Sequence, residues 1–345
     1  MAYTTIDDPT IYFNTVTWTG DGSSSRNITG VGFQPDWVWG KCRNTTVSHA
    51  LYDSVRGGSK LINSNATSAE GTNAALSAFV SDGFSVNSDS YFNGNSNTYV
   101  AWNWKAGTSF SNDASATGVG TIDSTGSINT TAGFSIISYS GTGTAGTIAH
   151  GLGSTPKMII VKVRNFATNW PVQHGSIAST KVLYLDTTNS ETTDSVFNDT
   201  LPTSSVFSVK TANSINASGK TYIAYCFADV KGYSKFGKYT GNGNADGTFV
   251  YTGFLPAFVL LKRTDSDNWW HIFDNKRDAF NLTDTVLYPN KNNAESTIIL
   301  GDMLSNGFKL RQTDADVNLS GSPYIYMAFA ESPFTNSNGV PNNAR

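Results

Sequence analysis

The chain has 345 residues, a net charge of −3 and 14% charged residues, well below the roughly 25% of typical soluble domains. It contains no basic stripe of the kind that nucleic-acid binders use to displace counterions from phosphate, and no apolar run near the 18 residues that span a bilayer, so we expect neither nucleic-acid binding nor membrane insertion. Aromatic residues reach 12%, too many for a disordered polar chain.

The N-terminal residues 1–15 are predicted to form an extended arm. The opening MAYTTIDDPT lacks the basic start and apolar core of a signal peptide, so we expect synthesis in a cytoplasm without a secretion signal. After Pro9 comes the apolar run Ile11, Tyr12 and Phe13, and an extended apolar arm can add to the edge of a neighbour's sheet. The alternative is that this arm packs along the chain's own first module.

The rest of the chain repeats one pattern three times. Each copy has an aromatic, a hydroxyl residue and a Gly-x-Gly turn, then a proline followed by an apolar strand ending in lysine, and finally a closing strand rich in aromatics. The turns lie at 18–22, 139–143 and 239–243, the lysine strands at 35–41, 156–162 and 256–262, and the closing strands start at Thr98, Thr221 and Pro323. Short strands rich in β-branched and aromatic residues between Gly, Asn and Ser turns are typical of β-sandwiches.

We therefore predict an all-β fold of three tandem, divergent β-sandwich modules of jelly-roll or lectin-like type. Module 1 covers residues 16–106, module 2 covers 134–229 and module 3 covers 230–334. Residues 107–133, nearly all Gly, Ser, Thr, Ala and Asn, are predicted to be a linker that contains a small hairpin, and 335–345 a flexible tail. Because the join between modules 2 and 3 is short, we expect these two to pack rigidly and module 1 to be set apart.

One repeated position is the candidate ligand site. The register equates His49, Trp170 and Trp270, and Trp269 precedes the last of them. Exposed aromatics stack on sugar rings, so these four residues are candidate ligand-binding residues; the alternative is that they pack in the core or between modules. The register also pairs Asp53 and Arg56 with Asp274 and Arg277, for which a local ion pair is the simplest interpretation. The glutamates that recur once per module, Glu70, Glu191 and Glu295, are interpreted as structural hydrogen-bond acceptors.

No motif indicates catalysis, a metal site or a cofactor. The sequence has no Gly-x-Ser-x-Gly, HExxH, CxxC or phosphate-binding loop, and none of its four histidines recurs between copies. Cys42 and Cys226 lie at different places in different modules and are interpreted as small buried side chains. We predict a protein that is not an enzyme and that needs neither metal nor cofactor.

Several long phrases resemble a family found in tailed phages of marine and freshwater bacteria. They include MAYTTIDDP, GFQPDWVWGKCRN, TYVAWNWKAG, GLGSTPKMIIVKVRN and YIYMAFAESPF, and the resemblance covers residues 1–334. The resemblance implies a virion or tail-associated structural protein with lectin-like sandwiches, and it supplies no catalytic residues.

On that resemblance we expect a component exposed on the phage particle, either in a tail fibre or adsorption apparatus or as a head decoration. Ile11, Tyr12 and Phe13 would then anchor it to the virion. Its expected partners are other virion proteins, host-surface glycans and further copies of itself, as a homotrimer if it forms a fibre. The alternatives are a carbohydrate-binding module that uses Trp170, Trp269 and Trp270, and a polysaccharide depolymerase.

Overall fold

The computed structural model describes residues 3–343, and strands dominate it. The described helical elements are a short 3₁₀ turn, Pro9–Ile11, and a four-residue helix α1, Ala114–Thr117. The predicted all-β, sandwich-type class is confirmed. The names module 1, 2 and 3 are kept below for the corresponding stretches of the chain.

Module 1 holds nine strands. They are β1 (Phe13–Thr19), β2 (Arg26–Ile28), β3 (Trp37–Cys42), β4 (Ala50–Asp53), β5 (Lys60–Leu61), β6 (Gly71–Thr72), β7 (Leu76–Val80), β8 (Gly83–Val86) and β9 (Thr98–Trp104). Next come β10 (Thr108–Asn112), α1 and β11 (Ser124–Asn129).

Module 2 holds β12 to β19 and module 3 holds β20 to β27. The first set is β12 (Phe134–Ser140), β13 (Gly146–Ala149), β14 (Met158–Val163), β15 (Pro171–His174), β16 (Lys181–Tyr184), β17 (Thr192–Thr193), β18 (Val206–Val209) and β19 (Thr221–Phe227). The second set is β20 (Ser234–Thr240), β21 (Phe249–Tyr251), β22 (Phe254–Arg263), β23 (His271–Asp274), β24 (Thr283–Val286), β25 (Ser296–Leu304), β26 (Gly307–Leu310) and β27 (Pro323–Pro333).

The same antiparallel strand order occurs in all three modules. The inner sheets run β1-β9-β3-β4, β12-β19-β14-β15 and β20-β27-β22-β23. In each, the closing strand lies between the first strand and the lysine strand. A second, outer sheet faces each of them: β2-β8-β7, β13-β18 and β21-β26-β25-β24. Each module is thus a two-layer sandwich with the first and last strands side by side.

The lysine strand and the closing strand of each inner sheet are buried on both faces, which explains their nearly continuous apolar runs. In β3, Trp37 and Trp39 face a core shared by all three modules, whereas Val38 between them faces the core of its own sandwich. In β22, Phe258 faces the shared core and Val259 its own sandwich core. Because successive side chains point to opposite faces, each of these strands contributes residues both to the shared core and to the core of its own sandwich.

The three closing strands meet at the centre of the shared core. Trp104, Phe227 and Phe329 occupy the same position in β9, β19 and β27. Their ring centroids lie 6.4 Å apart for Trp104–Phe227, 5.6 Å for Trp104–Phe329 and 6.1 Å for Phe227–Phe329. All three pairs are in contact, so the modules are arranged as a closed ring of three about this point.

Two expectations about the domain organisation are wrong. Residues 107–133 are not a free linker, because β10 and β11 pair with each other and β11 pairs with β12. With β10 and β11 at one edge and β16 and β17 at the other, the sheet that contains the inner sheet of module 2 has eight strands. The segment 124–129 is one strand of this sheet and not a hairpin of its own. Module 1 is not set apart either, since its tryptophans lie in the shared core.

The described part of the tail also carries specific contacts. The Asn342 amide donates to the Ser305 and Ser332 carbonyls, and the Ser337 N–H donates to Asp7. These hydrogen bonds tie residues 335–343 to module 3 and to the N-terminal arm, in place of the flexible tail expected.

Candidate functional site

The position shared by His49, Trp170 and Trp270 lies between modules and not on the surface. The relative exposures are 0%, 0% and 1%, because each ring packs into the shared core or against the neighbouring module. None of the three can stack on a glycan, so the prediction of ligand binding there is wrong and the alternative of inter-module packing is correct.

Hydrogen bonds from this position run around the ring in one direction. The Trp170 indole N–H of module 2 donates to the Ala66 carbonyl of module 1 over 3.0 Å, and the Trp270 indole N–H of module 3 donates to the Tyr184 carbonyl of module 2 over 3.0 Å. His49 of module 1 completes the ring through its Nε2, 2.9 Å from the Tyr288 carbonyl of module 3.

The imidazole of His49 is held in one neutral form. Its Nδ1 accepts from the Trp39 indole N–H over 2.9 Å, which leaves the proton on Nε2 for the Tyr288 carbonyl. Burial lowers the pKa of His49 well below its ordinary value, and the charge of Lys41 lowers it further. His49 is therefore neutral and links module 1 to module 3 by a hydrogen bond, at the position where modules 2 and 3 have a tryptophan.

Trp269 is the member of the predicted set that reaches solvent. It is half-buried, and the Lys291 ammonium lies 3.4 Å from the centroid of its ring, a cation–π contact. The edge of the Tyr288 ring also packs against it, with the centroids 6.4 Å apart. Of the four residues predicted to bind a ligand, Trp269 alone has a side chain that is exposed enough to contact one.

The predicted anchor is taken up by the chain's own fold. Phe13 is the first residue of β1, pairs with Trp104 and is 1% exposed, and Tyr12 packs edge-on against Tyr233. Only Ile11, at 43%, is exposed. The prediction that Ile11, Tyr12 and Phe13 anchor the protein to a virion is therefore corrected, because β1 pairs within its own module.

A buried ion-pair network joins modules 1 and 2. The Arg56 Nε donates to Asp53 over 2.5 Å, and both side chains are fully buried. The Tyr225 hydroxyl of module 2 donates to the same Asp53 oxygen over 2.7 Å. Burial alone would lower the pKa of Arg56, but the adjacent Asp53 carboxylate outweighs it and the pKa is raised. The Arg56 guanidinium is thus held in its charged form.

Glu70 extends this network to module 2. It accepts from Arg56 over 3.3 Å and from Arg164 of module 2 over 2.9 and 3.1 Å, the latter in the two-pronged geometry of a strong guanidinium–carboxylate pair. Burial would raise the pKa of Glu70, but the two arginines hold it below its ordinary value.

The interface between modules 3 and 1 repeats this arrangement. Arg277 pairs with Asp274 over 2.6 Å, and the Trp102 indole of module 1 donates to Asp274 over 3.0 Å. Glu295 accepts a two-pronged pair from Arg43 of module 1, with both distances 2.9 Å. The predicted Asp–Arg pairs are real, and each forms part of a contact between modules.

The interface between modules 2 and 3 is built differently. Here His174 and Ile177 replace the Asp and Arg, and Met327 replaces the hydrogen-bond donor of the closing strand. His174 Nε2 lies 3.3 Å from the Tyr326 carbonyl, and burial lowers the pKa of His174 to about 4. The donor and the acid are thus lost together, so no unpaired buried charge is left at this position.

A known protein family covers the residues that form this ring. The model of a domain of unknown function, DUF7483, matches residues 8–333. The chain belongs to this family. No curated protein and no solved structure matches the chain.

The DUF7483 match covers all three inner sheets, so the whole ring falls within one family unit. It begins before β1 and ends at Pro333, the last residue of β27. Within residues 3–343 no group of three or more His, Cys, Asp or Glu side chains is placed to hold a metal ion, and no helix is long and apolar enough to cross a membrane.

The lysines that end the repeated strands are buried at the module contacts. Lys162 donates to the Thr67 carbonyl of module 1 over 2.8 Å, and Lys262 donates to the Thr188 carbonyl of module 2 over 3.0 Å. Lys41 donates to the Cys42 carbonyl of its own module. Burial lowers the pKa of each of these three ammonium groups to about 8.

Sequence reasoning missed a buried asparagine that shapes the Gly-x-Gly turn of each copy. In module 2, the Asn216 side-chain oxygen accepts from the Thr142 N–H, and its backbone carbonyl accepts from the Gly143 N–H. Asn93 and Asn318 do the same in the other modules. Each lies six residues before the first tyrosine of its closing strand, a constant spacing that could have revealed them.

An open cleft of about 640 Å³ lies against β11 and β12. Asp113, Asp123 and several serine and threonine hydroxyls line it, among them Thr121, Ser138 and Thr142. Its volume falls within the range of small-molecule sites. The sequence alone does not predict this cleft, because the composition of residues 107–133 indicates a linker.

Proposed function

We propose that the chain is a structural component exposed on a phage particle, part of a tail fibre, an adsorption apparatus or a head decoration, and that it performs no reaction. One observation carries this proposal: the charged and aromatic residues that recur from copy to copy are used in holding the modules together. Asp53 accepts from Tyr225 of module 2, Glu70 pairs with Arg164 of module 2, and Trp170 of module 2 donates to the Ala66 carbonyl of module 1. A scaffold is the simplest role for such a ring.

The resemblance to tailed-phage proteins supplies the setting. A particle surface must keep its shape in dilute solution, and three sandwiches around one aromatic core form a rigid unit. The outer sheets and loops then remain available for other virion proteins, for host glycans or for further copies of the chain.

Immunogold electron microscopy tests this proposal. Antibody against the recombinant protein is applied to purified phage particles, and antibody against an abundant host cytoplasmic protein serves as the control. Gold at a fixed place on the particle is the expected result. A protein that stays in the soluble lysate while purified particles carry neither gold nor its peptides by mass spectrometry would refute the proposal.

Glycan binding is a second candidate function, and the cleft beside β11 and β12 favours it. Hydroxyls and the carboxylates of Asp113 and Asp123 are groups that hydrogen-bond sugar hydroxyls, and Trp269 offers a half-buried ring elsewhere. A glycan array with wild type, Asp123→Asn and Trp269→Ala separates these surfaces. Binding that both variants retain in full would exclude both.

A further inference from the structure

The three recurring glutamates occupy equivalent positions in the ring. The Glu70 N–H donates to the Arg164 carbonyl, the Glu191 N–H to the Thr264 carbonyl and the Glu295 N–H to the Arg43 carbonyl. In every case the acceptor is the second residue after the buried lysine of the next module. The backbone therefore places all three carboxylates alike, and the side chains around them can be compared directly.

Two of these carboxylates are neutralised by two guanidinium groups each. Glu70 pairs with Arg56 and Arg164. Glu295 pairs with Arg43 over 2.9 Å and lies 3.7 Å from Arg277. One arginine comes from the same module and the other from the next module.

Both arginines are missing at the third position. Ile177 stands where Arg56 and Arg277 stand, and Thr264 stands where Arg164 and Arg43 stand. Within residues 3–343, no ion pair within 4 Å reaches Glu191. The neighbouring Arg263 pairs instead with Asp265 over 2.6 Å.

The missing side chains leave a cleft between modules 2 and 3. It measures about 190 Å³ and is lined by Ile177, Glu191 and Thr264, with the exposed Lys238 among the lining residues and Tyr324 forming part of its wall. One water needs only about 10–15 Å³ of such space. The cleft thus combines a half-buried carboxylate, an apolar wall and the room that two arginine side chains fill elsewhere in the ring.

We propose that this cleft binds a guanidinium group, with Glu191 as its carboxylate partner. The planar group would take the place that Arg164 holds beside Glu70, donating two N–H groups to the carboxylate while Ile177 and Tyr324 exclude water. The group belongs either to an arginine side chain of a protein partner or to a small guanidinium compound. This assignment stands apart from the proposed virion function.

Titration of the full chain with N-acetyl-arginine amide, followed by NMR or calorimetry, tests the proposal. The neutral isostere N-acetyl-citrulline amide is the ligand control. We expect the arginine compound to bind at least about tenfold more tightly than citrulline, since only it forms charged hydrogen bonds. A short glycine–serine peptide with one central arginine distinguishes the sources: tighter binding of the peptide indicates a protein partner, and equal binding indicates a small compound.

Three variants locate the site. Glu191→Gln is expected to reduce arginine binding about tenfold with an unchanged circular dichroism spectrum, whereas Asp199→Asn, which alters an exposed carboxylate of the same module, leaves it unchanged. Thr264→Arg supplies the missing side chain from within and is expected to abolish binding. Equal affinity for arginine and citrulline, no detectable binding of arginine, or full binding by Glu191→Gln would each overturn the proposal.

Discussion

Removal of the Asp53 carboxylate gives the most direct measure of what the polar interfaces contribute. In the Asp53→Ala variant the Arg56 guanidinium stays fully buried and loses its 2.5 Å partner, and the Tyr225 hydroxyl of module 2 loses its acceptor. Breaking a buried pair by removing one partner typically costs about 3–5 kcal/mol. Glu70 lies 3.3 Å from Arg56 and remains, so we expect a loss near the lower end of that range.

The interface between modules 2 and 3 supplies the matched control. The triple variant Asp53→His, Arg56→Ile and Tyr225→Met copies the set His174, Ile177 and Met327 into the interface between modules 1 and 2. Because no buried charge is then left unpaired, we expect it to be more stable than Asp53→Ala, although it carries more substitutions.

Guanidinium chloride unfolding at 25 °C, followed by circular dichroism and tryptophan fluorescence, measures both variants. The exposed substitution Asp199→Asn should change the unfolding midpoint little, because asparagine also tolerates the left-handed backbone of this position (φ 51°). If Asp53→Ala costs less than about 1 kcal/mol, the usual value of a neutral hydrogen bond, the inferred dependence on the buried pair is wrong. A triple variant less stable than the single variant would refute the comparison between interfaces.

Three further outcomes are expected. The Lys162 pKa is about 8 in the folded chain against 10.5 for an ordinary lysine, so the unfolded chain binds more protons between these values and stability should rise as pH increases from 8 towards 10. Urea unfolding across that interval should show a smaller rise in the free energy of unfolding for Lys162→Met than for wild type, and the difference should be at most about 3 kcal/mol. Trp170→Ala should cost about 3–5 kcal/mol in the same unfolding assay, because the ring is fully buried, and an unchanged midpoint would contradict its position in the shared core. Gly141→Ala should cost about 1–3 kcal/mol because the new Cβ would lie 2.2 Å from the Ala217 carbonyl oxygen, whereas Gly71→Ala meets nothing within 4 Å and should leave the thermal midpoint nearly unchanged.

The local elements could be predicted from the sequence because the repeat preserved them. The proline-to-lysine strands and the closing strands lie where the pattern placed them, and Val100, Trp102 and Trp104 share one face of β9, as the period of two along a strand requires. What the pattern could not show is that both faces of these strands are buried. A Trp at a repeated position is equally compatible with a sugar platform and with a contact between modules.

The ring itself was not predictable from one copy. A linker rich in small polar residues is ordinarily flexible, but here Gly126 and Ser127 lie in β11, which pairs with β10 on one side and with β12 on the other. Likewise the Asp–Arg spacing predicted an ion pair, but not that the Tyr225 and Trp102 of other modules complete it. Such contacts depend on where the modules meet, which no local pattern encodes.

Closure of the ring explains why the module contacts are specific as well as apolar. An open stack of repeats needs end modules with a polar outer face, but in a closed ring module 1 must find module 3 across the whole chain. Arg43 and Glu295 are 252 residues apart and form a two-pronged pair at that closing interface. An apolar surface alone would allow several packing angles, whereas a guanidinium facing a carboxylate fixes one. The interface between modules 2 and 3 can dispense with this pair because a short connection already holds those modules together, and the cleft beside Glu191 is the structural consequence.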